Sequence, residues 1–187
     1  MQRRTLLNLA LERHYCHSVG PRYTLTILIE TNSWATRNLV EACRPLSHDQ
    51  FHQKFDMGLG SLHATITHIL GAMRGWGDML AGREQRERLE AGGERTADQL
   101  LELFEEIDRD FRAAANAHPV DGVATSERGG KSYSFTRGGV LTHVTTHGMH
   151  HRAQCLNMLR QLGVERLPQS AVVEWMLFVD GAMEPVS

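Results

Sequence analysis

An excess of charge of either sign is missing from this chain of 187 residues: 20 Lys and Arg stand against 22 Asp and Glu, a formal net charge of −2. So balanced a composition gives no electrostatic reason to expect nucleic acid or a membrane surface as a partner. Cysteine is scarce. Cys16, Cys43 and Cys155 are odd in number, lie far apart and include no C-x-x-C, which leaves no case for a disulfide framework or a thiolate zinc site. A reducing compartment follows. No apolar run approaches the roughly 18 residues of a membrane span. The opening residues mix Arg3, Arg4, Asn8 and Glu12 into their leucines, unlike the apolar core of a secretory signal. These absences predict a cytoplasmic protein. Internal repeats and low-complexity tracts are also lacking. What is present is a 41% hydrophobic composition over a length that suits one domain with a sizeable core.

Residues 1–22 read as an N-terminal appendage, because the short leucine-rich stretch from Leu6 to Leu11 is cut off by Gly20-Pro21. Residues 23–187 read as the domain. Ile27, Leu28, Trp34, Ala35, Leu39 and Ala42 recur near helical spacing, which predicts a first long helix over 23–43, stopped by Pro45. Leu46 to Met57 reads as a polar, solvated connection containing His48 and His52. Ser61 is an N-cap for a second long helix whose apolar face is Leu62, Ile66, Ile69, Leu70, Met73, Trp76 and Leu80. Gly82 to Glu94 reads as a charged, glycine-rich linker. Thr96 and Gln99 match a capping box for a third long helix running to about His118, with Leu100, Leu101, Phe104, Ile107, Phe111 and Ala115 as its buried stripe. Val120 to Phe135 carries Asp121-Gly122 and Gly129-Gly130 around short Val/Thr and Tyr/Ser/Phe segments, the pattern of a small hairpin or ordered loop. Thr136 caps the fourth long helix, and Trp175 to Val179 supplies a short terminal one. The expected architecture is all-α: a four-helix bundle with an extra C-terminal helix and a small hairpin before the fourth long helix. Trp34 and Trp76 are assigned to its core.

The fourth long helix, VLTHVTTHGMHHRAQCLNMLRQLG from Val140 to Gly163, carries the chemistry. At about 100° per residue, His143, His147, His150, His151 and Gln154 fall within one arc of roughly 120°. A lone histidine in a helix is usually a satisfied core residue, but four on one face are harder to explain by packing. His147 and His151 stand one turn apart, the spacing two ligands of a single ion need when both come from one helix. A third imidazole has to come from the facing second helix, which offers His63 and His68, about 140° apart around the axis. The helical wheel slightly favours His63. Such a set would leave a coordination position open to water or substrate. Neutral imidazoles suit Zn²⁺ or Ni²⁺, and the lack of neighbouring carboxylates in the sequence argues against Mg²⁺, Ca²⁺ or a di-iron centre. H-E-x-x-H is absent.

These residues resemble the DinB/YfiT-like superfamily of bacterial damage-inducible and thiol-transferase proteins. The resemblance lies in Gly60-Ser61-Leu62, Thr67-His68-Ile69 and Trp76 on the second long helix and in the fourth-helix run from Leu141 through His143, His147, His150, His151 and Arg152 to Gln154. It extends over roughly residues 24–181, taking in Leu159 to Gly163 and the apolar run Trp175 to Val179. The fourth-helix motif is its specific part. Thr146 stands where the family often has Asn, and Ala153 where it often has Gly, so contacts around the ligands differ. The resemblance implies His68, His147 and His151 as metal ligands, which overrides the wheel's preference for His63. It leaves His143, His150, Arg152 and Gln154 as candidates to contact the ligands or a substrate.

Two functions from different classes follow. One is a metal-dependent enzyme acting on a small molecule, which by resemblance would transfer a low-molecular-weight thiol to an electrophile, isomerise a substrate with such a thiol, or hydrolyse it. The other is a non-catalytic metal-binding module of a stress response that dimerises through a bundle face. A homodimer is expected either way, from the resemblance and from the surplus of apolar residues in Trp175 to Val179. DNA repair, suggested by the superfamily's name, has no basic patch or base-reading motif behind it.

Overall fold

The computed structural model describes residues 24–182, so the expected appendage at 1–22 lies outside the described residues. The elements run α1 (Thr24–Cys43), α2 (His48–His52), α3 (Leu62–Leu80), α4 (Ala97–Asn116), β1 (Val123–Arg128), β2 (Lys131–Thr136), α5 (Arg137–Gln161) and α6 (Val172–Val179), with a 3₁₀ turn at Leu89–Ala91 between α3 and α4. The four long helices are α1, α3, α4 and α5. Their chief contacts form a ring in which α1 and α3 each pack against both α4 and α5. Leu39, Ile66, Leu70, Phe104, Ile107, Phe111, Leu141 and Met158 fill the middle and are buried. Each such side chain removed from water contributes about 1.5–3 kcal/mol, so the interlocking apolar faces hold the ring together.

Local chemistry sets the helix ends. Ser61 Oγ accepts from Ala64 N at the start of α3. Thr96 and Gln99 satisfy each other's backbone N–H groups in a capping box at the start of α4. Thr136 Oγ1 accepts from Gly139 N to open α5, and Gly163, at φ +83°, takes the left-handed conformation just past its end. The hairpin is a two-stranded antiparallel ribbon pairing Val123 with Thr136 and Arg128 with Lys131. Gly129 and Gly130 both have positive φ, as a tight two-residue hairpin turn requires.

Three expectations need correction. The connection around His48 is exposed at His48 and Asp49, as expected, but it is not irregular: Ser47 and Gln50 form another capping box, which nucleates α2. The segment after α3 is not a free linker. Buried Asp78 accepts hydrogen bonds from Arg83 Nε at 2.7 Å, Arg86 NH2 at 2.8 Å and Arg86 N at 3.1 Å, which folds the chain back over α3. Burial by itself would raise the Asp78 pKa, but the bonds from Arg86 and Arg83 hold it below the usual carboxylate range. Neither tryptophan is buried in the core: Trp34 is half-buried, and Trp76, also half-buried, packs against the core's edge and edge-on to Phe135 of the hairpin, with ring centroids 5.9 Å apart. Trp34 stacks on Phe178 of α6 at 6.0 Å, which docks the terminal helix on α1.

Helices α1 and α5 meet through a buried polar seam. Arg152 donates to Asn32 Oδ1 at 2.6 Å and to Thr36 Oγ1 at 3.0 Å. Gly148 makes the close approach possible, since a Cβ there would stand 2.4 Å from Asn32 Oδ1. Among the described residues no helix is long and apolar enough to cross a membrane.

Candidate metal centre

Helix α5 presents His147 and His151 on consecutive turns toward α3, and α3 presents His68 back toward them. The three imidazoles meet. His68 Nε2 lies 3.2 Å from His147 Nε2. The ring centroids of His147 and His151 are 4.5 Å apart, and those of His68 and His151 are 4.9 Å apart. One nitrogen from each ring falls within 4.8 Å of the other two. Two nitrogens bound to one Zn²⁺ at about 2.0–2.1 Å in tetrahedral geometry stand about 3.3 Å apart, so the closest pair is already spaced as ligands.

The outer nitrogens are also placed for ligation. Glu90 Oε1 lies 3.0 Å from His68 Nδ1, and since a carboxylate only accepts, Nδ1 carries the proton there and the lone pair of the neutral ring falls on Nε2, the atom facing His147. On α5, Gln154 Oε1 accepts from His151 Nδ1 at 2.8 Å, and the same amide donates to His150 Nε2 at 3.2 Å. Burial pushes the His147 pKa down to about 4, helped by the neighbouring rings of His151, His68, His143 and His150. His151 is lowered as well, chiefly by burial, with the Gln154 hydrogen bond opposing the shift. Both shifts favour the neutral imidazole, the form a metal ion takes. The donor set fits a borderline transition ion, and a carboxylate reaches it only through a histidine.

Glu90 was not legible in the sequence, where it is one of several acids in a glycine-rich stretch. It arrives on the 3₁₀ turn at Leu89–Ala91, and the missing side chain of Gly71 gives it room: a Cβ there would stand 3.2 Å from Glu90 Oε2. Burial alone would raise its pKa, but hydrogen bonds from its own backbone N–H and from His68 hold it below the usual range, so it is ionised.

The model of the DinB family matches residues 22–175. The chain belongs to the DinB family. Protein DinB of Bacillus subtilis (strain 168) is a distant relative, 22% identical over 151 residues that cover 75% of this chain and 87% of that protein.

Within this family member, the remaining candidates separate. His63, which the helical wheel favoured, is not in the cluster: its Nε2 accepts the Arg95 N–H at 3.1 Å, and its ring stacks on His52 at 4.5 Å. The loop after α3 folds over that side and engages it. Arg152 does not face the cluster or a substrate space either. Its guanidinium is buried against Asn32 and Thr36, where burial lowers its pKa to about 10 and leaves it protonated at neutral pH. Gln154 stands directly behind His151, and His150 one hydrogen bond further out. His143 is exposed, with its ring edge-on to Trp76 at 5.1 Å and 5.6 Å from that of His147.

A cavity of about 510 Å³ opens beside the histidines, with His68 and His147 in its wall. Trp76, Tyr133 and Phe135 make it partly aromatic, Arg74 and Arg88 add positive charge, and Glu87 and Glu90 add negative charge. Arg86, also in the wall, is tied to Asp78, whereas Arg88 makes no ion pair among the described residues.

Proposed function

We propose that the protein is a metal-dependent enzyme acting on a small anionic molecule with an apolar or aromatic part, and that His68, His147 and His151 are the metal ligands. One observation carries this reading: two of the three convergent imidazoles, His68 and His147, form part of the wall of a cavity large enough for such a molecule. What a divalent ion would supply there, when bound, is a lowered pKa for a thiol or water, so that a nucleophile forms near neutral pH. Zinc or nickel fits an all-imidazole set best. The chain's own residues do the rest. Glu90 and Gln154 fix two ligand rings through their Nδ1 protons, Trp76, Tyr133 and Phe135 exclude water from one side of the cavity, and Arg88 attracts an anionic group.

The nucleophile of this proposal is a low-molecular-weight thiol rather than Cys43 or Cys155, the cysteines among the described residues. Cys43 and Cys155 are buried and free, and burial pushes both thiols far above their ordinary pKa. The reaction class is therefore thiol transfer to an electrophile or thiol-assisted isomerisation, with hydrolysis as the outcome if water takes the thiol's place. The test is turnover by untagged, metal-loaded protein on panels of electrophiles with and without added thiol, beside metal-stripped protein. Turnover that needs both metal and thiol supports the reading. Full metal occupancy without turnover on thiol or hydrolase panels would favour the non-catalytic metal-binding module of a stress response.

A further inference from the structure

A second group of side chains able to ligate a metal lies outside the site just described. His48 and His52 stand one turn apart on α2, and Glu94 faces them from the loop before α4. His48 Nε2 is 3.5 Å from Glu94 Oε2, His52 Nδ1 is 3.9 Å from Glu94 Oε1, and one donor atom of each residue lies within 4.8 Å of the others. The two rings are stacked, with centroids 4.4 Å apart and planes 21° from parallel.

We propose that His48, His52 and Glu94 bind a second divalent transition ion, independent of the triad on α3 and α5. Metal–nitrogen and metal–oxygen bonds of about 2.0–2.2 Å require donors about 3–3.5 Å apart. The two Glu94 separations reach that with a rotamer adjustment of Glu94, whose side chain is 72% exposed, and the histidine donors, within 4.8 Å of each other, close to it by a turn of the 70% exposed His48 ring. Two imidazoles and one carboxylate are a borderline donor set, suited to Cu²⁺, Ni²⁺ or Zn²⁺ rather than to Mg²⁺ or Ca²⁺. The backbone on both sides is already placed. The Ser47–Gln50 capping box fixes the start of α2, and the Arg95 N–H bonded to His63 Nε2 fixes the loop next to Glu94. His63 then stacks on His52 from behind, leaving the exposed His48 side open to further ligands.

The site has a consequence for the triad. Glu90 and Glu94 belong to one short loop, so this loop gives one carboxylate to His68 and another to the His48–His52 pair. An ion on His48, His52 and Glu94 would pin α2 to the loop that holds Glu90 in place.

Calorimetric titration of untagged, metal-free full-length protein with Ni²⁺ tests the proposal by stoichiometry. Wild type should bind two equivalents, His48→Ala one and His147→Ala one. In the His147→Ala background, adding His48→Ala or Glu94→Gln should weaken the remaining binding at least tenfold and about threefold respectively, while His14→Ala/His17→Ala and His118→Ala leave it unchanged. His48 is 70% exposed, so its replacement does not threaten the fold. Unchanged stoichiometry in His48→Ala, or binding in His147→Ala that survives the loss of both His48 and His52, overturns the proposal. Failure of the triad reading looks different: wild type would then bind one equivalent, removed by His48→Ala and untouched by His147→Ala.

Discussion

Glu90 lies 3.0 Å from the Nδ1 atom of His68, although 22 residues separate the two in the chain. The carboxylate fixes the ring's tautomer and turns its other nitrogen toward His147, 3.2 Å away. Replacement of a group that orients a metal-ligating histidine typically costs 10–100-fold in metal affinity. Glu90→Gln keeps an acceptor oxygen but loses the charge, and should weaken metal binding by about tenfold, with Glu90→Ala about a further fivefold weaker. Competition against a chelator of known affinity measures both. Affinity unchanged in Glu90→Ala would mean that the carboxylate does not support the site.

The proposed ligand set predicts a divided alanine series. His68→Ala, His147→Ala and His151→Ala should each lose most bound metal in the triad, with helical content by circular dichroism close to wild type, because the core is built from Leu70, Phe104, Phe111, Leu141 and their neighbours rather than from the histidines. His150→Ala and His63→Ala should retain it. Metal analysis after gel filtration is the readout, with His48→Ala as background so that only the triad is counted. Loss in His63→Ala with retention in His68→Ala would refute the assignment of the third ligand.

Asp78 links stability to pH. Its carboxylate is buried, and its folded pKa is held below the ordinary value by hydrogen bonds from Arg86 and Arg83. A depressed carboxylate pKa contributes stability that is fully present above the unfolded value and is lost as pH falls through the folded one. Asp78→Asn should cost about 2 kcal/mol at pH 7, the scale of hydrogen bonds to a charged group. The difference between wild type and variant should shrink below about pH 4. Urea unfolding at pH 7 and at low pH would show it, and a pH-independent difference would contradict it. The same variant should loosen the loop that carries Glu90, and so weaken metal binding at neutral pH.

The homodimer is open to direct measurement. Trp175 of α6 is buried and Phe178 stacks on Trp34, but Val172, Val173, Leu177 and Val179 remain 38–62% exposed on a single short helix. An apolar strip of this kind commonly marks an interface, and we expect sedimentation at micromolar concentration to give twice the chain mass of 21.0 kDa. Val173→Glu/Leu177→Glu should convert a dimer to monomer. A wild-type monomer would remove the case for this face.

Much of the fold was legible in the sequence because its signals are local. Apolar residues at helical spacing marked the four long helices, and Ser61, Thr96, Thr136 and Gly163 marked their ends, since caps and stripes depend on residues three or four apart. The one-turn spacing of His147 and His151 likewise needed only the geometry of a single helix. The choice between His63 and His68 did not follow from a wheel, because both flank the apolar face of α3 and the decision rests on what packs against each side. Only the tertiary structure decided that the loop after α3 engages His63 through Arg95, brings Glu90 to His68 over the bare backbone of Gly71, and turns Arg152 into the α1 seam away from any substrate. Those contacts join residues up to 120 positions apart in a chain whose loops carry no periodicity. Their pairing is fixed by the packing of the helices, which no local pattern encodes.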